Sequence, residues 1–295
     1  MVRFPRTGHI WIPRHGRRAA AAGIAMHSPC RPIAVAAQRA LYLAVRVAGS
    51  RVIPGERGVR TDPLPDPEWR DLLEQWQSVV GSFDDLVLYR RPQAGRAGFA
   101  ALLLRDGRGV GFARFHPEPT RIEREFALMT SVYAAKPSSF GVARPLARGR
   151  LDEGGGWLVN ESLPNYPLGA VRDPAVRNRV ADEIGEVLAV VLPRGDDVPA
   201  HWRPAHGDLA PWNLRTLLRG TVRVIDWEDA CYAPPGVDRL YGALTAHTTF
   251  GTPLPSSAPG EAIDWVTTLI VGRMQVSSEA GNRAQLDLLA TIAAE

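Results

Sequence analysis

The stretch HGDLAPWNLRTLLRGTVRVIDWEDA, residues 206–230, contains two short apolar runs that are joined by an Arg-Gly pair. Runs of this length on either side of a turn predict an antiparallel β-hairpin. Pairing of the runs would return Asp226, at the end of the second, to the side of Asn213, at the start of the first. Asp208 lies on the loop that enters the hairpin, so we expect three oxygen-bearing side chains at one edge of a small sheet.

These side chains carry the oxygen atoms that a hard cation prefers. Mg²⁺ is usually held by one or two carboxylates together with phosphate groups, so Asn213 and Asp226 are the predicted metal ligands. Asp208 is then left to accept a proton from a reacting group. The alternative is ordinary turn and cap chemistry, because Asp and Asn are common in turns. His201 and His206 do not have the spacing of a zinc-binding H-E-x-x-H pair.

Composition places the chain among ordinary globular proteins. It has 295 residues, of which 45% are hydrophobic and 22% are charged, enough for one large domain or two lobes with a core. Two cysteines are too few for a disulfide framework and the N-terminus lacks a signal-peptide pattern, so we expect a reduced, cytoplasmic location. The sequence has no G-x-x-x-x-G-K-[ST] loop and no G-x-S-x-G elbow, which leaves those two chemistries without support.

Positive charge is concentrated in the N-terminal segment. Residues 1–60 contain eleven arginines and one acid, Glu56, a balance of +10, whereas the remainder contains 24 basic and 30 acidic residues, a balance of −6. The acidic balance of the remainder argues against nucleic acid as a partner. Residues 17–26 and 31–49 are predicted helices. One interpretation is that these basic helices contact a membrane surface or a protein partner. The other is that they pack on the acidic remainder of the chain.

The rest of the chain changes from strands to helices along its length. After a linker at 53–68, the patterns predict a helix at 66–80 and strands at 86–91, 99–104, 110–115 and 155–161. Thr120 and Glu123 have the spacing of a capping box that begins another helix. Helices are further predicted at 175–191, 237–250, 261–277 and 282–294. This order predicts two lobes with a cleft between them, a common place for a ligand.

The segment around the hairpin carries a resemblance to a known family. His206-x-Asp208-x-x-x-x-Asn213 matches the catalytic-loop pattern of protein kinases, with Gly207 in place of their usual arginine. Together with VIDWEDA and APPGVDRL, it resembles the aminoglycoside phosphotransferase and choline-kinase-like family. The resemblance is specific over about 35 residues and weaker from about residue 69 to the C-terminus, and residues 1–68 lie outside it.

The resemblance implies an α+β, bilobal protein-kinase-like fold. It places a small β-rich N-lobe at 69–160 and a mainly helical C-lobe with the catalytic loop at 161–295. Residues 1–68 would then be a basic helical extension and linker.

It also implies a role for each matching position in the catalytic loop. Asp208 would be the catalytic base or the residue that positions the acceptor hydroxyl. Asn213 and Asp226 would bind Mg²⁺ on the nucleotide phosphates. His206 would brace the loop with its ring, and Asp238 would hold the backbone of the loop.

The nucleotide contacts implied by the resemblance lie earlier in the chain. Gly95 and Gly98 would cover the phosphates, and Glu161 to Asn165, including Leu163, would form the hinge beside the base. Glu125 would pair with a cationic strand residue, for which Arg114 is the candidate. The family has a lysine at this position, and an arginine fork is wider and more rigid. The alternative for Arg114 and Glu125 is an ordinary surface ion pair.

The implied activity is transfer of a γ-phosphoryl group from ATP or GTP to a hydroxyl of a small molecule such as an amino sugar, a sugar or an amino-alcohol. Two alternatives remain open. One is a nucleotide-binding module without catalysis, for which the arginine at position 114 is the reason. The other is a protein that works at a membrane surface or on a protein partner through residues 1–60.

Overall fold

The computed structural model describes residues 1–5, 8–27, 29–58, 63–90, 97–274 and 279–294. Contacts divide the chain into two compact units. Unit 1 comprises Met1–Ala127 and Ala143–Leu168, and unit 2 comprises Leu128–Val142 and Gly169–Glu295. The contacts thus group the basic N-terminal segment with the β-rich segment. The functional division at 1–68, 69–160 and 161–295 stays a prediction.

Unit 1 is built on a mixed set of strands and helices. Its elements in chain order are β1 (Val2–Phe4), β2 (Ile10–Ile12), α1 (Arg17–Met26), α2 (Pro32–Ala48), β3 (Glu56–Arg57), α3 (Asp66–Val80), β4 (Asp85–Arg90), β5 (Phe99–Arg105), β6 (Arg108–His116), the first part of α4 (Pro119–Ala135), β7 (Pro145–Arg150) and β8 (Gly156–Asn160). The eight described strands form one sheet in the order β3-β1-β2-β4-β5-β6-β8-β7. All neighbouring strands in it are antiparallel.

Strand β5 lies in the middle of this sheet because it is apolar on both faces. Its sequence FAALLLR is buried at every position except Arg105. Alternate side chains enter different cores, as the two-residue period of a strand requires. Leu102 and Leu104 pack with α1, whereas Ala101 and Leu103 pack with Leu72 and other residues of α3.

The N-terminal segment supplies one of the two layers that cover the sheet. Ala19 to Ile24 of α1 are buried against Ile12 and the inner strands. The close approach requires a glycine at position 23, since a Cβ there would lie 2.7 Å from the Ile12 side chain. The predicted helices at 17–26 and 31–49 are confirmed as α1 and α2. The three short strands of this segment were not predicted, because two or three residues carry too little pattern.

Unit 2 is mainly helical and contains the predicted hairpin. Its elements are the second part of α4, β9 (Gly169–Ala170), α5 (Pro174–Val191), β10 (Arg203–Ala205), β11 (Leu214–Thr216), β12 (Val222–Val224), β13 (Cys231–Ala233), α6 (Val237–Phe250), α7 (Gly260–Met274) and α8 (Glu279–Ala294). The described strands form two small sheets, β10-β13 and β12-β11-β9. Within the described ranges, no helix is both long enough and apolar enough to cross a bilayer.

The hairpin β11–β12 has the predicted position and turn. Leu214 pairs with Val224, and the connection turns through Arg219 and Gly220 at φ 71° and 79°. Leu214 and Val224 point into a core that is completed by residues of α5 and the buried Trp227. The hairpin edge that carries the candidate site is therefore anchored to the body of unit 2.

Candidate active site

The loop between β10 and β11 is closed by its own side chains. Asn213 Nδ2 donates to the Asp208 backbone oxygen at 2.9 Å and to Asp208 Oδ2 at 3.1 Å. Both residues are buried, with Asp208 only 6% exposed. The five-residue spacing between them therefore allows Asn213 to hold the Asp208 carboxylate in a fixed, buried position. Polar side chains that only cap a turn would be exposed.

The backbone at the start of the loop is held by Asp238 of α6. Its carboxylate accepts hydrogen bonds from the N–H groups of His206, at 2.7 Å, and Gly207, at 3.1 Å. Burial raises the pKa of Asp238, while the hydrogen bonds from the backbone N–H groups of His206 and Gly207 act in the opposite direction. Asp238 therefore links α6 directly to the loop that carries Asp208.

Gly207 has a local reason to be glycine. Its φ is +79°, and a Cβ at this position would lie 2.3 Å from the backbone oxygen of Asp229. The loop therefore passes so close to the segment after Asp226 that a side chain does not fit. This contact accounts for the glycine where protein kinases usually have arginine.

His206 connects the loop to the returning strand of the hairpin. The ring is fully buried and packs against Trp227, with the ring centres 4.9 Å apart. Nε2 lies 3.2 Å from the Ile225 backbone oxygen, and the Asp208 N–H donates to Nδ1 over 3.3 Å. A neutral ring that donates from Nε2 and accepts at Nδ1 satisfies both contacts. The imidazole thus braces the loop from inside and does not face an external ligand.

Asp226 follows β12 and lies beside the start of the hairpin. The Ile225 N–H donates to the Asn213 backbone oxygen at 3.0 Å, which brings the residue before Asp226 against Asn213. Asp226 has a left-handed backbone, φ 66°, and begins the short 3₁₀ turn Trp227–Asp229. Its charge contributes to the electrostatic surroundings of Asp208. The structure therefore brings Asp208, Asn213 and Asp226 to one end of the hairpin, as the register argument predicts.

The donor set fits a Mg²⁺ ion. The Asn213 amide nitrogen is engaged by Asp208, so the amide oxygen is the atom of that side chain that could face a cation. Together with the Asp226 carboxylate it provides the two hard protein ligands that magnesium on a phosphate needs. The described residues contain no group of three or more His, Cys, Asp or Glu side chains that could hold a metal without phosphate.

Arg273 of α7 is a site residue that the sequence did not predict. Its Nη1 lies 3.0 Å from Asp208 Oδ1 and also contacts the Tyr241 hydroxyl. Its Nη2 lies 3.8 Å from Asp229 Oδ2, and the guanidinium stacks 5.0 Å from the centre of the Tyr241 ring. No pattern around position 273 indicates this contact, since the residue is one more basic side chain near the end of a helix.

The surroundings of Asp208 have opposing effects on its charge. Burial is the largest influence and raises its pKa, Arg273 lowers it, and the nearby charge of Asp226 raises it, with a result of about 6. The pKa of Tyr241 is raised by burial first and by the Asp208 charge second. Tyr241 therefore stays neutral at physiological pH and adds no negative charge beside Asp208, whereas Arg273 adds a positive one.

The predicted ion pair of unit 1 is present between β6 and α4. Arg114 Nη1 lies 2.5 Å from Glu125 Oε1, and the two side chains are 15% and 4% exposed. Arg114 stands opposite Ala100 of β5 and Leu158 of β8, in the middle of the sheet. The pair is therefore not an ordinary surface salt bridge, and its contact with a nucleotide stays a prediction.

The remaining predicted nucleotide contacts belong to unit 1. Gly95 lies outside the described residues. Gly98 has φ +95°, and a Cβ there would lie 2.2 Å from the Phe115 backbone oxygen, so strand packing alone requires glycine. Glu161 is exposed and its N–H donates to the Arg144 backbone oxygen at 2.8 Å, and Leu163 is half-buried.

The loop and hairpin of unit 2 lie within a segment that matches a protein-family model. Residues 191–257 match the family model described as "Phosphotransferase enzyme family". The chain resembles the aminoglycoside phosphotransferases. The matched segment of this phosphotransferase-like chain includes Asp208, Asn213, Asp226 and Asp238, and ends before Arg273. No curated protein sequence matches the chain.

Solved structures of phosphotransferases are similar to the chain, and the first of the three that follow supports the fold. The crystal structure of aminoglycoside phosphotransferase APH(4)-Ia is 12% identical, covers 76% of this chain and 97% of its own, and has a TM-score of 0.50. The GDP and kanamycin complex of APH(2")-IIia is 15% identical over 76% of this chain and 98% of its own, with a TM-score of 0.46. Spectinomycin phosphotransferase APH(9)-Ia, in complex with ADP and spectinomycin, is 9% identical, covers 76% of this chain and 93% of its own, and has a TM-score of 0.45. The predicted α+β, kinase-like fold class is confirmed.

Proposed function

We propose that the chain transfers the γ-phosphoryl group of ATP or GTP to a hydroxyl group of a small molecule. The observation that carries the proposal is the way in which Asp208 is held. Asn213 engages one carboxylate oxygen and Arg273 the other, while Asp238 holds the backbone that precedes them. A buried carboxylate fixed from three directions is suited to orienting a reacting hydroxyl, because phosphoryl transfer depends mainly on positioning and charge stabilisation.

The proposed step uses Asp208 as the partner of the acceptor hydroxyl. Each carboxylate oxygen has two lone pairs, so Asp208 can accept a further hydrogen bond from the acceptor while it keeps Asn213 and Arg273. The acceptor oxygen forms a bond to the γ-phosphorus as the bond from that phosphorus to the bridging oxygen breaks. The hydroxyl proton passes to Asp208, and the nucleoside diphosphate leaves with the bonding electrons.

Asn213 and Asp226 would hold Mg²⁺ on the nucleotide phosphates. The ion, when bound, would neutralise charge that develops on the phosphate oxygens. The role of the chain is to fix the two oxygen ligands, and it does so through the hydrogen bonds of Asn213 and the hairpin register.

Arg114 would bind phosphate oxygens in the place of the lysine that the family has. Glu125 fixes the Arg114 side chain, which suits a phosphate contact because a held guanidinium loses less freedom on binding. Gly95, Gly98, Glu161 and Leu163 are proposed to complete the nucleotide site. His206 and Asp238 would act through the loop backbone.

The charges beside Asp208 favour an acceptor that carries an amine. Asp226 is assigned to Mg²⁺, and the two other carboxylates, Asp208 and Asp229, exceed the single positive charge of Arg273. An excess of carboxylates attracts a cationic ligand. We therefore propose an amino sugar or amino-alcohol before an uncharged sugar.

Two observations favour a second candidate function. Both oxygens of Asp208 already have protein partners, and position 114 is arginine. A nucleotide-binding module without transferase activity would show the same two features. It would bind nucleotide in a magnesium-dependent manner and signal by a change of conformation.

The test is turnover of Mg-ATP and Mg-GTP against a panel of amino sugars, sugars, choline-like alcohols and amino-alcohols. We expect acceptor-dependent release of nucleoside diphosphate together with a phosphorylated product, with amine-bearing acceptors preferred. Thermal unfolding with and without nucleotide runs in parallel, because a ligand at a hundred times its Kd stabilises by about 2.7 kcal/mol. Magnesium-dependent stabilisation without product from any acceptor would support the second candidate. Absence of both effects would rule out the proposal.

A further inference from the structure

Helix α2 has two apolar faces, of which the protein uses one. Val45 on the inner face is fully buried, and the buried Gln38 donates from Nε2 to the backbone oxygens of Ile24, at 2.8 Å, and His27. These contacts fix α2 to α1 and hence to the sheet of unit 1. The helix is therefore held in place without any help from its outer face.

The outer face carries a continuous apolar stripe. It consists of Ile33, Ala36, Ala40, Leu43 and Val47, all of which are exposed. The spacing of three and four residues places these side chains in one line along the helix. Ile33, Leu43 and Val47 are 86%, 63% and 72% exposed. A contiguous exposed apolar surface of this kind marks an interaction site, whereas single exposed apolar residues do not.

The surroundings of this outer stripe are basic. Arg39 and Arg46 lie along its edge, Arg31 precedes the helix and Arg51 follows it, and all four are exposed. Helix α2 contains no acidic residue. The single acid of residues 1–60, Glu56, is engaged in a salt bridge with Arg3. The occupant of the outer stripe must therefore combine apolar groups with negative charge.

A second copy of the chain does not meet this requirement. The outer stripe has heptad spacing, so Arg39 and Arg46 occupy the flanking positions where coiled-coil helices place opposite charges. Antiparallel pairing of two copies would bring arginines together, and parallel pairing would oppose them to Ala37 and Ala44. Neither arrangement offers a carboxylate to the arginines.

We propose that the outer stripe of α2 and its flanking arginines form a surface that binds anionic phospholipid bilayers. Ile33, Leu43 and Val47 would enter the boundary between headgroups and acyl chains, to a depth of about 5–10 Å for an interfacial helix. Arg39 and Arg46 would extend their side chains to the lipid phosphates. The inner face would keep its contacts with α1, so binding needs no unfolding of unit 1.

The surface is tested on the full chain by co-sedimentation with phosphatidylcholine vesicles, with and without phosphatidylglycerol. We expect binding to the mixed vesicles only. It should weaken steeply as salt rises, because each basic residue near an anionic surface contributes about fivefold to binding at low salt. Equal binding to both vesicle types, or none to either, would overturn the proposal.

A double substitution distinguishes binding through the outer stripe from non-specific binding to vesicles. L43E together with V47E should lower the partition coefficient at least about tenfold, since it puts charge where acyl chains would lie. V190E is the matched control, because Val190 on α5 of unit 2 is 87% exposed but belongs to no such stripe. Circular dichroism verifies that both variants stay folded. Unchanged vesicle binding by L43E/V47E would overturn the proposal.

Sedimentation velocity tests whether a second copy of the chain occupies the outer stripe instead. Self-association that L43E/V47E abolishes, without vesicle binding by the wild type, would assign the face to a second copy and overturn the proposal. The readout does not involve phosphoryl transfer, so the result stands apart from the proposed enzymatic function.

Discussion

Arg273 Nη1 lies 3.0 Å from Asp208 Oδ1, although the two residues are 65 positions apart in the chain. Asp208 belongs to the loop before the hairpin and Arg273 to the last turn of α7, so the contact exists only because unit 2 folds α7 over that loop. It supplies the positive charge that offsets part of the burial cost of Asp208. Arg273 is thus a positioning residue for the proposed catalytic carboxylate.

Replacement of Arg273 should destabilise the protein and impair transfer. The pair is mostly buried, with the side chains 17% and 8% exposed, so R273Q leaves Asp208 without its cation. We expect a loss of up to about 3 kcal/mol in the free energy of unfolding by urea. R239Q is the control, since the Arg239–Asp182 pair is about half exposed on both sides and should cost less than about 1 kcal/mol. Equal costs for the two variants would contradict a buried structural role for Arg273.

Replacement of Asp208 by Asn should separate transfer from nucleotide binding. Asn keeps the size of the side chain but cannot take a proton from the acceptor hydroxyl, so kcat should fall at least about a hundredfold. The dissociation constant for Mg-ATP, measured by calorimetry, should change little, because Asn213 and Asp226 remain. D264N on the exposed side of α7 serves as the control. Parallel loss of binding and turnover would refute this division of roles.

Two glycines with the same backbone angle test the geometry of the loop. Gly207 and Gly220 both have φ +79°, but a Cβ at 207 would lie 2.3 Å from Asp229 O, whereas nothing lies within 4 Å at 220. G220A therefore costs only backbone strain of about 1 kcal/mol. G207A also displaces the loop, and a shift of about 1 Å can lower the rate about a hundredfold. Similar kcat values for the two variants would mean that the approach to Asp229 does not matter for transfer.

Replacement of Arg114 by Lys tests whether this arginine fills the place of the family lysine. R114K keeps the charge and the contact with Glu125, so we expect turnover equal to or higher than that of the wild type. R150K is the control for an Arg-to-Lys change in an exposed pair, since Arg150 and Glu123 are 61% and 33% exposed. A severe loss of kcat/KM in R114K alone, with thermal unfolding unchanged, would show that the site requires the arginine fork.

The lowered pKa of Glu183 predicts how the free energy of unfolding changes in acid. Burial would raise its pKa, but hydrogen bonds from Ser139 and Ser138 outweigh this effect and lower the pKa from 4.5 to about 2. A depressed pKa stabilises the fold fully above pH 4.5, and this contribution is lost as the pH falls from 4.5 towards 2. E183Q should therefore be less stable than the wild type near neutrality, and the difference should shrink over that window. Urea midpoints measured across pH test this, with E186Q on the same helix as the control.

The sequence determined those helices and strands whose hydrophobic pattern is long or is bounded by clear turn residues. Helix α6 has the predicted bounds, 237–250, and the hairpin turns at the predicted Arg219-Gly220. The two strands pair antiparallel, so the same hairpin pattern also brought Asp226 to the side of Asn213. The loop spacing and the buried Asp238 were accessible through the family resemblance, because both lie within or close to the hairpin segment.

The tertiary structure decided the contacts between elements that are far apart in the chain. Nothing near Arg273 indicates that it meets Asp208, and nothing in residues 2–12 is long enough to predict strands beside β4. Such contacts depend on how whole helices and strands pack, which local periodicity does not encode. The sequence by itself thus determined the local geometry of the hairpin and of the loop that enters it. Packing of α7 and of the N-terminal segment decided which charge stands beside Asp208 and which face of α2 remains exposed.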